Sequence, residues 1–430
     1  GNNTALGYKS GEGMTTGTEN TLIGSLAGDA LTTGIRNTAL GGGALGESIT
    51  GSYNTAIGRF AIGSGATTGS YNTALGYYSG RLLTSGGSNI LLGGYAGSNI
   101  TIGQNNVAIG MQALAASVDG DYNTAVGWKA LEDYEDGDGS GHNTAIGASS
   151  QLNATTGEFN TSLGSLSMGS GVATGDANVV VGYNAGVLMT SGAQNVFLGA
   201  NAGDAITTGS FNVLVGERSG SSQTTANYNT ALGQNSLFTN VAGANCVAIG
   251  SGALATMTSA SALNMFNTAV GASAGTSVTT GVQNTLIGGL AGDAITVADH
   301  NVAVGYGALT SNVFGDYSVA IGSGALDEQN PADGSHSVYN VAIGFNAGAD
   351  ITSGYGHTII GGQAGDAITT SVDNTVMGKE ALSAETTGSY NTAIGKEALK
   401  VQGGGVENTA LGRQAGLAVT TGDNNTLIGG

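Results

Sequence analysis

The chain has 430 residues, of which 79 are Gly, one is Pro and one is Cys, and 29 acidic against 10 basic residues leave a net charge of −19. Such a balance is unsuited to nucleic acid or anionic lipid, and the lone Cys246 excludes a disulfide framework or a Cys-based zinc site. A hydrophobic content of 40% is too high for a disordered chain, Gly without a three-residue period is not collagen, and no apolar run suits a membrane span.

The first element is the word NTALG at 3–7, and it returns to the end of the chain. Aligned on its Asn, 25 copies fall into register, anchored at 3, 20, 37, 54, 72, 89, 106, 123, 143, 160, 178, 195, 212, 229, 246, 267, 284, 301, 318, 340, 357, 374, 391, 408 and 425. Nineteen of the 24 intervals are 17 residues, and the others are 18, 20, 18, 21 and 22. The anchor is Asn in 22 copies, with Cys246, Ser318 and His357 in the rest; the second position is β-branched, the fourth aliphatic or Met and the fifth Gly in all 25. β-branched residues favour strands, while Gly, Asn and Thr-Gly clusters favour corners. Each unit is therefore predicted to be a short strand, a Gly corner, a second extended stretch and a turn around Thr-Thr-Gly. Seventeen residues are too few for the helical repeat families and suit one coil of a β-solenoid. The expectation is an all-β solenoid, a β-roll of about 25 coils, whose stacking at about 4.8 Å per coil would give a rod on the order of 120 Å.

Within the unit, the third and ninth positions trade volume. Leu22 stands with Gly28, Phe197 with Gly203 and Leu286 with Gly292, whereas Ala39 stands with Leu45 and Ala393 with Leu399. Close-packed interiors penalise both voids and overfilling, so the two positions are expected to share one lumen. Strand side chains alternate, which sends the ever-aliphatic fourth position outward. An outer row of 25 aliphatics exceeds what a soluble monomer tolerates and implies burial against other chains. The alternative is that the faces are reversed and the fourth position lines the lumen. The anchor Asn is expected to form a hydrogen-bonded ladder along the coils; a ligand-binding row is the rival reading.

The array reads as one continuous domain over 1–430, with insertion loops near 132–142, 256–266 and 327–339. Deleting 134–136 to restore a 17-residue interval is expected to leave assembly intact. The first loop holds EDYEDGDGSG at 132–141, whose Asp136, Asp138 and Ser140 match the start of a calcium loop of the D-x-D-x-S-G kind. They are the candidate Ca²⁺ ligands and the only cofactor site the sequence offers. A solvated acidic loop is the competing reading, because the twelfth loop position, which needs Glu, is Gly147. Asp29, Asp204, Asp293 and Asp366 recur in AGDA words and read as turn formers. His142, His300, His336 and His357 are scattered, with no nucleophile arrangement, so the chain is not expected to be an enzyme. Interrupted Thr-Thr-Gly rows leave an ice-binding lattice as a remote alternative.

The words NVAIG (106–110), NTAIG (54–58) and SVAIG (318–322) resemble the head repeats of trimeric autotransporter adhesins. TTGSYNTAIG at 386–395 is more similar still to the repetitive shafts of bacteriophage tail fibres. The resemblance covers the whole chain, although the adhesin unit is shorter than 17 residues. It implies a homotrimer of parallel, left-handed β-rolls, an extracellular or virion location and a part in attachment at a host surface. It carries no catalytic residues. The corresponding expectation is a structural fibre shaft holding a receptor-binding tip, with a bacterial surface adhesin or extracellular filament as the alternative. Neither end shows an atypical capping unit, so a segment of a longer fibre with flanking tip domains is expected, with end-to-end polymerisation as the competing account.

Overall fold

A computed structural model of the chain describes residues 1–135, 141–259, 263–332 and 337–430. The three-residue strands coincide with the second to fourth positions of the repeat. They group into two compact units, 1–212 and 213–430. The first unit holds the strands from Thr4–Leu6 to Val196–Leu198, the second those from Val213–Val215 to Thr426–Ile428. Inside each unit, successive strands pair in parallel with like positions facing, as in Thr21↔Thr38, Leu22↔Ala39 and Ile23↔Leu40. This is a parallel β-solenoid, one strand and one set of corners per coil, and no described residue is helical. The register passes across the three long insertions, where Thr124 faces Thr144, Val247 faces Thr268 and Val319 faces Val341.

A ladder of anchor side chains explains the fixed register. Asn20 Oδ1 accepts from the backbone N–H of Asn37 at 2.9 Å and from its Nδ2 at 3.1 Å, while Asn37 Nδ2 also donates to the Gly51 carbonyl at 2.9 Å. The same pattern recurs at Asn195, whose Nδ2 reaches the Gly209 carbonyl, and at Asn284, whose Oδ1 accepts from Asn301 N–H at 3.0 Å. The anchors from Asn20 to Asn408 are buried, so each rung satisfies a corner amide that water cannot reach. Leaving one such amide unpaired costs about 1–3 kcal/mol. The Asn row is thus structural.

The three substituted anchors keep the ladder by different means. His357 accepts from Asn374 N–H through Nδ1 at 3.2 Å, and its Nε2 lies 2.9 Å from the Ser371 carbonyl, so a neutral ring with the proton on Nε2 reproduces the Asn pattern. At Ser318 the shorter side chain is supplemented by Gln329, whose Nε2 donates to Ser318 Oγ at 2.8 Å while its Oε1 accepts from Asn340 Nδ2 at 2.9 Å. Cys246 keeps both sides of its rung, its N–H donating to Asn229 Oδ1 at 2.9 Å and its sulfur accepting from the Asn267 backbone N–H; burial pushes its thiol up to about 12.

The lumen is lined by the third, eighth, ninth and twelfth positions. The third is fully buried from Leu22 to Ala410, which settles the faces: the fourth position points outward. The ninth residue sits at positive φ, near +57° for Gly292 and +51° for Leu45. A left-handed Leu costs about 1–2 kcal/mol. Burying its side chain returns about 1.5–3 kcal/mol, so Leu is tolerated wherever the third position is Ala.

The volume trade reaches further than the third and ninth positions. Most coils with a large ninth residue carry a polar or small twelfth one, as in Leu45 with Ser48, Leu237 with Asn240 and Leu382 with Glu385, all buried; Leu131 with Tyr134 and Leu254 with Met257 are the exceptions. Coils with Gly at the ninth position place Leu31, Ile100, Ile206 or Ile295 at the twelfth. Where third and ninth are both small, neighbouring coils fill the space: a Cβ on Gly80 would lie 2.7 Å from Leu91 Cδ1, and one on Gly275 would lie 2.6 Å from Leu286 Cδ1 and 3.0 Å from Leu254 Cδ2. Glu385 is buried without a cation because its Oε1 accepts from the amides of Thr386, Thr387, Gly388 and Gly404, and its Oε2 from Gln402 Nε2.

Tyr134, which the sequence assigns to the first insertion, is a twelfth-position residue fully buried in the lumen. Removing 134–136 would therefore extract a core side chain, and the expectation that this deletion is harmless is corrected on that ground. The sequence reading missed this because an aromatic at the twelfth position occurs only here.

The fifth-position Gly is required by close approach. Gly288 has φ +137°, and a Cβ there would lie 2.4 Å from the Gly305 carbonyl oxygen of the next coil. Gly288→Ala is expected to destabilise the second unit by about 1–3 kcal/mol, the cost of a backbone region open essentially to Gly alone; unchanged hydrogen-exchange protection around Gly288 and Gly305 would contradict this.

A repacking test follows from the lumen. Gly292→Leu alone should be destabilising by about 1–3 kcal/mol, since its Cβ would already lie 2.7 Å from Leu286 Cδ2 and 2.8 Å from Ile295 Cδ1. The triple change Leu286→Ala, Gly292→Leu, Ile295→Ser rewrites the coil in the form of Ala39, Leu45 and Ser48 and should recover most of that loss in denaturant melts.

His357 generates a pH dependence. Burial holds its pKa down to about 4, against an ordinary 6.5. The unfolded chain then binds the extra proton, so the ladder's contribution is complete above pH 6.5 and lost as pH falls from 6.5 towards 4. The loss is on the order of 3 kcal/mol. His357→Asn should flatten stability between pH 7 and pH 4.5, and an identical slope in both proteins would refute the assignment.

Candidate assembly surface

The outer face of each sheet carries the second and fourth positions and no charge. The second is Thr, Val or Ile and the fourth Leu, Ile, Val or Met throughout. In the first unit Leu40, Leu75, Leu163 and Leu198 are 45–50% exposed, and in the second Leu232, Met377 and Leu411 are 44–47% exposed. Within each unit the strands hold these side chains one above another because register is kept from coil to coil, so every coil adds an aliphatic group to that unit's row.

A second exposed row follows the Gly corner, at the sixth position. Tyr8, Tyr77, Met111, Trp128, Tyr183, Tyr306 and Phe345 all stand there and all are exposed. Repeat regularity does not reveal this row, because the sixth position also admits Gly, Ala, Ser, Gln, Glu, Lys and Arg. Its signal was the size of the apolar residues rather than their regularity. Together the two rows make a surface suited to burying apolar area against another chain. The chain matches no protein-family model and no curated protein.

The candidate calcium ligands Asp136, Asp138 and Ser140 lie outside the described residues, as does His336. Of the flanking acids, Glu132 is engaged with Lys129 Nζ at 2.8 Å and with Gln112 Nε2 at 3.0 Å. Among the described residues no group of three or more His, Cys, Asp or Glu side chains converges as a metal site would require. Asp293 and Asp366, from the AGDA words, lie in separate coils; burial raises both carboxyls above their ordinary value.

The Thr hydroxyls are turned to the chain's own backbone. Thr32 Oγ1 donates to the Ile49 carbonyl at 2.9 Å, Thr190 Oγ1 to the Thr207 carbonyl at 3.0 Å and Thr369 Oγ1 to the Thr386 carbonyl at 2.9 Å. These donors stitch one coil to the next.

Two of the remaining histidines occupy a column that the sequence reading did not single out. The residue before each anchor is aromatic or His in twelve of the 25 copies. His142 stacks between Tyr122, at 4.8 Å, and Phe159, at 5.3 Å, and His300 stacks on Tyr317 at 4.8 Å. The visible signal was the recurrent SYN and DYN words, which had been absorbed into the turn.

Proposed function

We propose that this chain is a structural fibre segment: it self-associates as a homotrimer through the outer aliphatic face and serves as the shaft of a phage-type tail fibre, carrying a receptor-binding tip for attachment to a host surface. The observation that supports self-association is the outward fourth-position row, half exposed in both units and free of charge. Apolar patches of that extent mark interfaces. The number three, the left-handed coil, the extracellular setting and the phage owner rest on the resemblance of the NTAIG words to fibre shafts and adhesin heads. A shaft is also consistent with a lumen filled by side chains and with the lack of a convergent polar site among the described residues. A bacterial surface adhesin or filament uses the same physics, and the nature of the tip domain distinguishes the two. No described helix is long and apolar enough to cross a membrane.

Light scattering on the purified chain should give three times the 41.8 kDa chain mass. The triple variant Ile249→Asp, Ile287→Asp, Ile321→Asp places charges on the outer row without touching the lumen, and should release folded monomer with an unchanged far-ultraviolet spectrum. A wild-type chain that is monomeric at micromolar concentration would overturn the proposal.

A further inference from the structure

The residue preceding each anchor forms a column in which side chains of successive coils touch. In the first unit four consecutive members are Glu19, Arg36, Tyr53 and Tyr71. Arg36 Nε donates to Glu19 Oε2 at 2.8 Å and Nη1 donates to Tyr53 Oη at 2.9 Å. The guanidinium carbon lies 5.5 Å from the Tyr53 ring centre, and Tyr53 stacks on Tyr71 at 4.9 Å with 6° between the planes. The order along the column is carboxylate, guanidinium, ring, ring.

The second unit repeats that order in reverse with one member missing. His300, Tyr317 and Tyr339 stack at 4.8 Å and 5.3 Å, with interplanar angles of 7° and 15°. The next rung is Gly356, which supplies no side chain, and the one after it is Asp373. Tyr339 is 60% exposed. The Asp373 carboxylate leans into the vacated rung, since a Cβ on Gly356 would lie 2.1 Å from Asp373 Oδ1. Asp373 is exposed and makes no ion pair among the described residues. Its near neighbour His357 is held neutral by burial. Ring, ring, empty rung, carboxylate is the Glu19–Arg36–Tyr53–Tyr71 arrangement without its guanidinium.

We propose that the notch formed by Tyr339, Gly356 and Asp373 binds a planar cation of the guanidinium class in the missing rung. The spacing suits one flat group, because coils repeat at about 4.8 Å and the rings of this column stack at that interval. A guanidinium combines stacking on a ring face with a charge-assisted hydrogen bond to a carboxylate, whereas an ammonium is a compact, strongly hydrated charge that stacks poorly. The other open-ended stacks lack the second element: Tyr71 is followed by Ser88 and Asn105, and Phe159 by Ala177 and Gln194, with no acid. A chain of net charge −19 adds long-range attraction for a cation. The inference does not depend on the fibre proposal, since it concerns a corner of the coil and not the outer aliphatic face.

The test is a saturation-transfer NMR titration of the full chain at low ionic strength with L-arginine amide, L-citrulline amide and L-lysine amide. Arginine amide should bind at least fivefold more tightly than the isosteric, uncharged citrulline amide and more tightly than lysine amide. Asp373→Asn and Tyr339→Ala, each with an unchanged far-ultraviolet spectrum, should weaken arginine binding at least fivefold, while Phe159→Ala should leave it unchanged. A Gly-Gly-Arg-Gly-Gly peptide identifies the source: tenfold tighter binding than the amide supports an arginine of a protein partner, and equal binding supports a free guanidinium compound. Equal affinity for arginine and citrulline amides, or retention of arginine binding in both Asp373→Asn and Tyr339→Ala, would overturn the proposal.

Discussion

The structure depends on one hydrogen-bonded rung per coil. In most coils the anchor Asn side chain accepts from the amide of the next coil and donates to a corner carbonyl, as Asn37 does with the Asn54 N–H and the Gly51 carbonyl. Three-residue strands contribute few ladder bonds of their own, so a coil this small needs a buried side chain to tie its corner down. The rung also fixes phase, because a coil slipped by one residue would break its Asn bonds and turn the third position out of the lumen. Insertions survive for the same reason: Asn143 N–H still finds Asn123 Oδ1 at 3.1 Å although 20 residues separate them.

Once phase is fixed, the lumen becomes a problem of volume shared among neighbours. No coil is packed by its own residues alone. The Ala74 and Gly80 coil is completed by Leu91 from the following coil, and Leu254 and Leu286 close in from both sides on Gly275. Stability is then a sum of coil and nearest-neighbour terms, as for other solenoids. A change of size at one position is felt in the coils above and below, which is why the ninth and twelfth positions vary together.

The same stacking that closes the interior multiplies whatever lies outside. A single exposed aliphatic means nothing, but repeated once per coil it becomes a continuous apolar face within each unit, which is the observation behind the proposed self-association. A single aromatic before an anchor is a surface residue, yet repeated it becomes a stacked column with its own grammar of ring, cation and acid. In that column an omitted side chain, Gly356, is as informative as one that is present.

The sequence by itself determined the repeat, the strand positions and the Gly corners, because each is written 25 times and periodicity averages away local exceptions; which strand face lines the lumen was left open along the chain and was decided by the burial of the third position from Leu22 to Ala410. It favoured a ladder over a ligand-binding row for the anchor Asn, and the bonds of Asn20, Asn37 and their successors bear the ladder out. What only the tertiary structure decided concerns residues whose meaning depends on a neighbouring coil. Tyr134 looked like loop because its partner in the lumen is 17 or more residues away, and it is core. The left-handed seventh and seventeenth positions were hidden because Leu26, Tyr53 and Arg36 share no chemistry, only φ near +60°. The Tyr339–Asp373 notch could not be seen along the chain, since its ring and carboxylate lie 34 residues apart in sequence and come to stand on either side of the Gly356 rung only when coils are stacked. Local chemistry writes the coil; contacts between coils decide what its surface can hold.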